Sequence, residues 1–347
     1  MKRQLFVHIG AHRTATSALQ KYLFQNFQPL IGQGFLYPLG VRRHVGLISD
    51  LFSGLRDPKA VALNLERRAA DKANDIHALI LSDEDICMRK DLRVLAKFRE
   101  QFDVKVVFTL RRQDTWLESW YLQNVKWQWN PKLMHRSFED FLKVRKDFHW
   151  IHYDRYVKHL EKLFGRENVI LNIYEKQQMT QGPIEMFCDS IGLTDRSAFK
   201  EPDHINASYS PLISEFMRRL PLNEAPEGFR DRLNMACAEV DRSLASGTKQ
   251  SERMIPHAQR VALMAEYERG NRALAERYFG RDALFLEPLP GPEVPLADRS
   301  LPADSDVLMR DFVAPLVREL IRDQKAEVER QAARTTKKPV AQKKKTA

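Results

Sequence analysis

The chain of 347 residues contains little cysteine and no long stretch without charge. Its three cysteines, Cys87, Cys188 and Cys237, are far apart, odd in number and without a CxxC spacing, which argues against a disulfide framework or a zinc site. We expect buried thiols. No uncharged stretch of about 18 residues is present to span a membrane, and the first apolar run, residues 5–9, is too short for the apolar core of a signal peptide. These absences predict a cytoplasmic protein with no transmembrane segment.

The positive charge is concentrated at the C-terminus. The formal net charge is +10, and the 43% hydrophobic and 29% charged residues are typical of a globular protein. Residues 331–347 contain six basic residues and no acidic one, which leaves +4 for the rest of the chain. A tail of this composition is predicted to be disordered and solvated. Because the positive charge lies in this tail, it does not indicate a nucleic acid as partner. The sequence does not predict an oligomeric state.

Short β-rich runs alternate with long helical patterns. The runs are residues 4–9, 78–82, 104–110 and 168–174. This alternation predicts an α/β fold, a three-layer sandwich whose central parallel sheet is covered by helices on both faces. Ligands of such sheets bind at the carboxyl ends of the strands. The polar residues that follow the first three runs are therefore the candidates for chemistry.

The C-terminal part of the chain is predicted to be helical. Helical patterns occur at residues 211–220 and 256–279, and four prolines between Pro288 and Pro295 then predict a stiff linker. An amphipathic helix follows, which Pro315 should kink or split. We divide the chain into an α/β domain (1–286, with its helical part at roughly 205–286), a proline-rich linker (287–304), an amphipathic helix (305–330) and a basic disordered tail (331–347).

The loop after the first strand has the composition of an anion site. Residues 8–20 read HIGAHRTATSALQ and pass from the strand into a helix. Free backbone N–H groups and the dipole at a helix N-terminus attract anions. Arg13 adds a fixed positive charge, and Thr14, Thr16 and Ser17 add hydroxyl donors. The loop alone is equally compatible with a simple helix cap.

A nucleotide-triphosphate loop of the GxxxxGK[ST] kind is the first alternative. Ala15 stands where that motif has its second glycine, and Thr16 stands where it has its lysine. Asp83 or Asp85 would then be the acid that holds Mg²⁺. A P-loop kinase or other nucleotide-dependent phosphotransferase therefore fits less well, and we keep it as the alternative enzyme class.

A second anion site is predicted after the third strand, in the sequence LRRQDTWLES that ends at Ser119. Thr115 and Glu118 have the spacing of a capping box, so that a helix is expected to begin there, with Asp114 as another possible cap. Arg111 at the strand end and Ser119 one turn into the helix could both reach one phosphate. Two anion sites, one after the first strand and one after the third, suit a ligand that is phosphorylated at both ends.

These two segments resemble the sulfotransferase family. Bacterial members read HIGxPKTGTTS in the first loop and LRRQDxWLxSxYxQ at the second site, and this chain reads HIGAHRTATSALQ and LRRQDTWLESWYLQ. Weaker similarity extends over most of residues 4–286. The resemblance implies a P-loop-like sulfotransferase fold and a 3′-phosphoadenosine 5′-phosphosulfate donor, with no metal required. The implied donor-binding residues are Ala11, His12, Arg13, Thr14, Ala15, Thr16 and Ser17 at the 5′-phosphosulfate, and Arg111 and Ser119 at the 3′-phosphate.

Three residues of the first loop depart from the family pattern. His12 replaces the proline, Arg13 replaces the lysine and Ala15 replaces the glycine. Arginine keeps the charge that stabilises the departing bisphosphate, but it does not hand over a proton near neutral pH. A non-catalytic homologue that binds the bisphosphate is therefore the other alternative.

Glu84, which follows the second predicted strand, is the preferred general base, because it corresponds to a glutamate in the matching segment of the family. His44 and His12 are the other candidates, and a Glu84 that simply faces water beside Asp83 and Asp85 is also open. The resemblance further implies an acceptor that is a carbohydrate or glycolipid. Four tryptophans could supply flat faces for such an acceptor or belong to the core; they are Trp116, Trp120, Trp127 and Trp129.

Overall fold

The computed structural model describes residues 2–201, 209–244 and 253–336. Its sheet has five strands, all parallel, in the order β2-β3-β1-β4-β5. The strands are β1 (Gln4–His8), β2 (Phe35–Leu36), β3 (Ala78–Ser82), β4 (Asp103–Leu110) and β5 (Val169–Ile173). Helices flank the sheet, and the C-terminal region is helical. The predicted α/β fold class is therefore confirmed.

The strands form where apolar residues run almost without interruption. Every residue of β3, ALILS, is buried, as are the last four of β1, QLFVH. Continuous apolar runs are typical of parallel strands that are covered on both faces. Because β2 has only two residues, it has no such pattern, and it is the strand that the sequence did not predict.

Strand order concentrates the polar strand ends at one place. β1 lies between β3 and β4, and His8 at its end is level with Ser82 of β3 and Val107 of β4. The chain leaves β1 for β2 and β3 on one side and then crosses to β4 on the other. A crevice at such a reversal of direction is where ligands of open parallel sheets bind. The ends of β3, β1 and β4 therefore form the candidate site.

Fourteen α-helices occur in the described residues, and the bounds of the first nine are α1 (Thr16–Gln25), α2 (Phe27–Gly32), α3 (Val45–Ser53), α4 (Pro58–Ala70), α5 (Arg93–Ala96), α6 (Gln113–Trp127), α7 (Phe138–Lys143), α8 (Tyr153–Phe164) and α9 (Pro183–Ser190). The remaining five are α10 (Pro211–Met217), α11 (Glu227–Leu244), α12 (His257–Phe279), α13 (Ser305–Leu308) and α14 (Ala314–Thr336). The helices predicted at residues 211–220 and 256–279 correspond to α10 and α12.

The chain forms two compact units. The first comprises Met1–Trp120, Leu142–Ala207 and Ile255–Glu293 and contains the sheet. The second comprises Tyr121–Phe141, Ser208–Met254 and Val294–Ala347, and its described regular elements are helical. The sequence analysis had placed residues 1–286 in one domain, whereas two internal segments of that range belong to the second unit.

The predicted amphipathic helix near the C-terminus is present and longer than expected. A π-helical turn, Met309–Val313, joins α13 to α14. Pro315 follows this turn directly as the second residue of α14, and because proline has no N–H to donate to the preceding turn, it interrupts the helical hydrogen bonds here without ending the helix. Residues 331–336, predicted as the start of the disordered tail, are helical, because no glycine or proline interrupts them. Residues 337–347, the rest of the predicted tail, lie outside the described residues.

All three cysteines are free and buried, as predicted. Within the described ranges, no helix is long and apolar enough to cross a membrane.

Candidate functional site

The first loop is fixed to the end of β4. The N–H of Ala11 donates to the carbonyl of Thr109 at 3.2 Å, and the N–H of Thr109 donates to the carbonyl of Gly10 at 2.7 Å. These bonds extend the β1–β4 ladder past His8, so that the chain stays hydrogen-bonded to β4 as far as Ala11. The loop therefore has a defined position before α1 begins.

Side chains hold the carbonyl groups of the loop. The hydroxyl of Thr14 donates to the carbonyl of Ala11 at 2.6 Å, and the indole N–H of Trp116 in α6 donates to the carbonyl of His12 at 2.9 Å. The Thr14 hydroxyl proton, predicted as a donor to the anion, is thus used inside the loop. With these carbonyls occupied, the repulsion that they would exert on an anion is reduced.

The backbone of the loop adopts a left-handed conformation at two residues that are not glycine. The φ angles are 66° at Arg13 and 63° at Ala15. Ala15 precedes α1, and no side chain caps the helix at that position. The first amides of α1, at Thr16 and Ser17, have no acceptor within the helix. Amides in such a turn at a helix N-terminus are the groups on which the predicted anion site depends.

Replacing Ala15 by Gly is expected to stabilise the protein by about 0.5–1 kcal/mol. The left-handed conformation costs a residue with a Cβ about 1–2 kcal/mol, and the greater freedom of glycine in the unfolded chain takes back about 0.5–1 kcal/mol. Urea unfolding measures the difference. Ala18→Gly, inside α1, is the matched control and should destabilise by about 1 kcal/mol. Equal destabilisation by both changes would contradict the strain at Ala15.

Arg13, Arg111 and Ser119 come together, although the sequence assigned them to two different phosphates. Arg13 Nε donates to Ser119 Oγ at 2.6 Å, and Arg111 Nη1 donates to the carbonyl of Arg13 at 2.7 Å. Ser119 is buried, and both arginines are half-buried. The two predicted anion sites therefore adjoin each other at the carboxyl ends of β1 and β4.

Arg111 is a cation without an acidic partner. Within the described part of the chain, no carboxylate lies at ion-pair distance from its guanidinium, which packs over the ring of Tyr174 at 5.4 Å. Burial lowers the pKa of Arg111. The hydroxyl of Tyr153 in α8 accepts from the N–H of Arg111 at 3.1 Å and donates to its carbonyl. The protein therefore holds a partly desolvated cation in a fixed place, with no carboxylate of the described residues in direct contact with it.

Three consecutive acids follow β3 and approach the loop. Asp83 and Glu84 are buried, and Asp85 is partly exposed. Gln20 of α1 donates through Nε2 to Glu84 Oε2 at 2.5 Å, whereas Glu84 Oε1 accepts no hydrogen bond from the residues that the structure describes. A Cβ on Gly10, whose φ is 100°, would lie 3.2 Å from the Cβ of Glu84. The close contact and the positive φ explain the glycine, and they place Glu84 against the loop.

Arg43, which the sequence analysis missed, faces all three acids. Its Nη2 lies 2.6 Å from Asp83 Oδ1 and 2.6 Å from Asp85 Oδ2, and its Nε lies 3.4 Å from Glu84 Oε2. Burial raises the pKa of Asp83 against the opposing charge of Arg43. Burial alone would also raise the pKa of Asp85, but hydrogen bonds from His12 and Arg43 hold it below its ordinary value.

The two candidate histidines differ in their surroundings. His12 is buried in the loop, and its Nε2 lies 2.9 Å from Asp85 Oδ1. His44 has both ring nitrogens engaged with backbone: the N–H of Ser82 donates to Nδ1 at 3.1 Å, and Nε2 lies 3.0 Å from the carbonyl of Pro38. Burial lowers the pKa of His44. A neutral ring with its proton on Nε2 satisfies both bonds, which leaves no nitrogen of His44 for an acceptor.

A row of buried, hydrogen-bonded polar side chains lies beneath the loop, and no sequence pattern predicts it. His8 Nδ1 lies 2.8 Å from Ser82 Oγ, which also accepts from Gln20 Nε2 at 3.2 Å. Burial lowers the pKa of His8 to about 4, despite the nearby charge of Glu84. His8 is therefore neutral at physiological pH and adds no positive charge to the site.

The predicted capping box at Thr115 and Glu118 is wrong. α6 begins at Gln113, and Glu118 pairs instead with Arg260 of α12, whose Nη2 lies 2.7 Å from Glu118 Oε1. The same guanidinium reaches Asp114 Oδ2 at 2.5 Å, and all three side chains are buried. The acids at the start of α6 thus bind a distant helix, because a buried cation attracts them more strongly than exposed amides would.

The four tryptophans do not form one cluster. Trp116 and Trp120 are buried and stack at 5.5 Å between ring centroids in the first unit. Trp127 and Trp129 belong to the second unit and stack at 5.3 Å, with Trp129 60% exposed. Trp116 and Trp120 therefore belong to the core behind the loop.

Comparison with known proteins gives few relatives. No model of a known protein family matches the sequence. A protein of Archaeoglobus fulgidus, described only as uncharacterized, is 28% identical over 216 residues, which cover 60% of this chain and 55% of that protein. This chain thus spans about half the length of the relative it matches.

Among solved structures, the fold is similar to the crystal structure of a sulfotransferase from Alicyclobacillus acidocaldarius. The alignment has a TM-score of 0.42 and 17% sequence identity, and it covers 81% of this chain and 98% of that chain.

Proposed function

We propose that this chain is a sulfotransferase that moves a sulfuryl group from 3′-phosphoadenosine 5′-phosphosulfate to a hydroxyl or amine of an acceptor. The observation that carries the proposal is the meeting of Arg13, Arg111 and Ser119, with Arg111 lacking an acidic partner among the described residues. A donor with anionic groups at its 3′ and 5′ positions would supply a counter-charge to Arg111, while the neighbouring Arg13 would donate to the same ligand. The family resemblance of the two segments points to the same donor.

Binding of the donor is divided between two segments. Arg111 and Ser119 would hold the 3′-phosphate. The loop from Ala11 to Ser17 would hold the 5′-phosphosulfate through the free amides of α1 and the guanidinium of Arg13. Arg13 then stabilises the charge that grows on the departing bisphosphate, as preorganised cations do in phosphoryl transfer. Because the guanidinium keeps its proton, its contribution is electrostatic.

Glu84 is the proposed general base. Its Oε2 is held by Gln20, while its Oε1 accepts no hydrogen bond within the described part of the chain, so that Oε1 can take the acceptor's proton. As the acceptor attacks sulfur, a new bond to sulfur forms, and the electron pair of the broken S–O bond leaves with adenosine 3′,5′-bisphosphate. The close approach of Glu84 to the loop at Gly10, where an added Cβ would lie 3.2 Å from the Cβ of Glu84, supports a base beside the proposed donor site.

A carbohydrate or glycolipid is the proposed acceptor, on the family resemblance. Because Trp116 and Trp120 are buried, their rings are not available to contact the acceptor.

The alternative of a Mg²⁺-dependent kinase loses support from the site. Asp83 and Asp85, its candidate metal ligands, are both paired with Arg43. Calorimetric titration with adenosine 3′,5′-bisphosphate and, separately, with Mg²⁺-ATP tests the proposal. We expect binding of the bisphosphate. Binding of Mg²⁺-ATP alone would overturn the proposal, and bisphosphate binding without turnover of any acceptor would favour the non-catalytic homologue.

Arg111→Ala is expected to weaken the binding of adenosine 3′,5′-bisphosphate by about 10- to 150-fold, since hydrogen bonds to a charged group contribute about 1.5–3 kcal/mol. The affinity for adenosine 5′-phosphate should change far less, because that ligand lacks the 3′-phosphate. Calorimetry measures both, and Arg42→Ala, at an exposed arginine, is the control. Equal weakening for the two ligands would mean that Arg111 does not bind the 3′-phosphate.

A further inference from the structure

We propose that Arg43 is a positioning residue, which supplies one shared counter-charge to the three acids after β3 and fixes Glu84 as the base. This inference rests on the proposed function, because it assigns a role around the proposed base. No pattern in the sequence singles out Arg43, which follows the exposed Arg42 in a loop after β2.

One guanidinium serves three carboxylates at this place. Besides the contacts of Nη2 with Asp83 and Asp85, Arg43 Nε donates to Asp83 Oδ1 at 2.8 Å. The side chain of Arg43 is 19% exposed, and those of Asp83 and Glu84 are 1% and 7% exposed. Neighbouring carboxylates that are shielded from water cannot all remain charged without a cation, because each raises the proton affinity of the others.

The groups around Glu84 offer no substitute for that cation. Among the described residues, Arg43 is the one cationic side chain at ion-pair distance from Glu84. Among the described residues, the other groups that face Glu84 carry no positive charge at physiological pH; they are His8 of β1, Gln20 of α1, Tyr37 after β2, and Asp83, Asp85 and Cys87 near it in the chain. Loss of Arg43 would therefore leave Glu84 without a cationic neighbour among the described residues.

Arg43 also orients the base relative to the loop. Arg43 and Gln20 both contact Oε2 of Glu84, so that Oε1 is the oxygen left for an acceptor. Asp85 connects Arg43 to His12 of the first loop. Arg43 is thus the link that ties the proposed base to the proposed donor site.

The test compares Arg43→Met and Arg43→Lys with Arg42→Met, the matched change at the neighbouring exposed arginine. Release of adenosine 3′,5′-bisphosphate from the donor is followed from pH 5 to pH 9, and bisphosphate affinity is measured by calorimetry. We expect Arg43→Met to lower turnover at pH 7 by at least about 10-fold, with the loss shrinking as pH rises and the bisphosphate affinity kept within about threefold. Arg43→Lys should restore part of the rate, because it returns the charge without the bidentate geometry.

A second measurement does not depend on turnover. A protonated carboxyl group has an infrared C=O band that a carboxylate lacks. At pH 7 this band should appear in Arg43→Met but not in the wild type or Arg42→Met, and it should weaken in Arg43→Met/Glu84→Gln. If Arg43→Met fails to fold, Arg43→Lys carries the same test, and a pH profile displaced in the same direction is expected.

The outcomes separate the inference from the proposed function. A band in Arg43→Met together with a wild type that turns over no acceptor would leave the positioning role standing and remove the sulfotransferase. A pH profile equal to that of Arg42→Met, with no new band, would overturn the role of Arg43.

Discussion

Glu84→Gln is expected to lower turnover by about 10²- to 10⁴-fold, the usual contribution of a general base. The amide has the shape of the carboxylate, so it can keep its place against Gly10 and its contact with Gln20. It cannot take the acceptor's proton. Affinity for adenosine 3′,5′-bisphosphate should therefore persist, and the change should appear in kcat. Release of the bisphosphate measures turnover, and calorimetry measures binding.

Two further variants make the test of Glu84 specific. Glu100→Gln makes the same acid-to-amide change at an exposed site and should leave turnover unchanged. His44→Gln changes the other candidate base, whose ring nitrogens bind backbone, so that it should lower stability more than rate. Unchanged turnover in Glu84→Gln would remove Glu84 from the mechanism. An equal loss in a stably folded His44→Gln would transfer the role to His44.

Arg260→Met is expected to destabilise the protein by about 3–5 kcal/mol, because it removes the buried cation that pairs with both Asp114 and Glu118. Asp114 would keep Arg112, whose Nε lies 2.8 Å from its Oδ1, but Glu118 would lose the cation that Arg260 provides. Urea and thermal unfolding measure the loss. Arg272→Met, on the same helix α12, is the control. Its ion pair with Glu268 is exposed, and its removal should cost less than about 1 kcal/mol.

A second variant separates charge from packing at Arg260. Arg260→Met combined with Glu118→Gln also removes the negative charge of Glu118 and should recover part of the stability. Neutral replacement of both members of a buried ion pair is tolerated better than removal of one member. The same loss in the single and double variants would show that the guanidinium contributes by filling space.

The sequence predicts most of the sheet and the loops at its edge. Four strands are visible as apolar runs, and the spacing of Arg111 and Ser119 indicates a shared position before any coordinates are known. The order β3-β1-β4 then brings the predicted strand ends together. These features are local, since each depends on residues that are close in the chain.

The features that sequence reasoning missed depend on contacts between distant segments. Arg43 lies 40 residues from Asp83, and their contact requires β2 to pair with β3, although β2 has only two residues. Glu118 has the spacing of a capping residue, but its partner Arg260 is 142 residues away. Trp116 belongs to the group of tryptophans that could form an acceptor surface, yet it is buried and its indole N–H donates to the carbonyl of His12. A single sequence offers no signal for such pairings.

The hydrogen bonds that hold the loop carbonyls also bear on the speed and thermodynamics of ligand binding. Thr14, Trp116 and Arg111 order the loop backbone when the protein folds. This segment therefore loses its conformational entropy when the protein folds. The free-energy cost of ordering it does not reduce the affinity for an anion that binds later. Association should then be limited by diffusion and orientation, with a small loss of entropy on binding and no slow ordering phase.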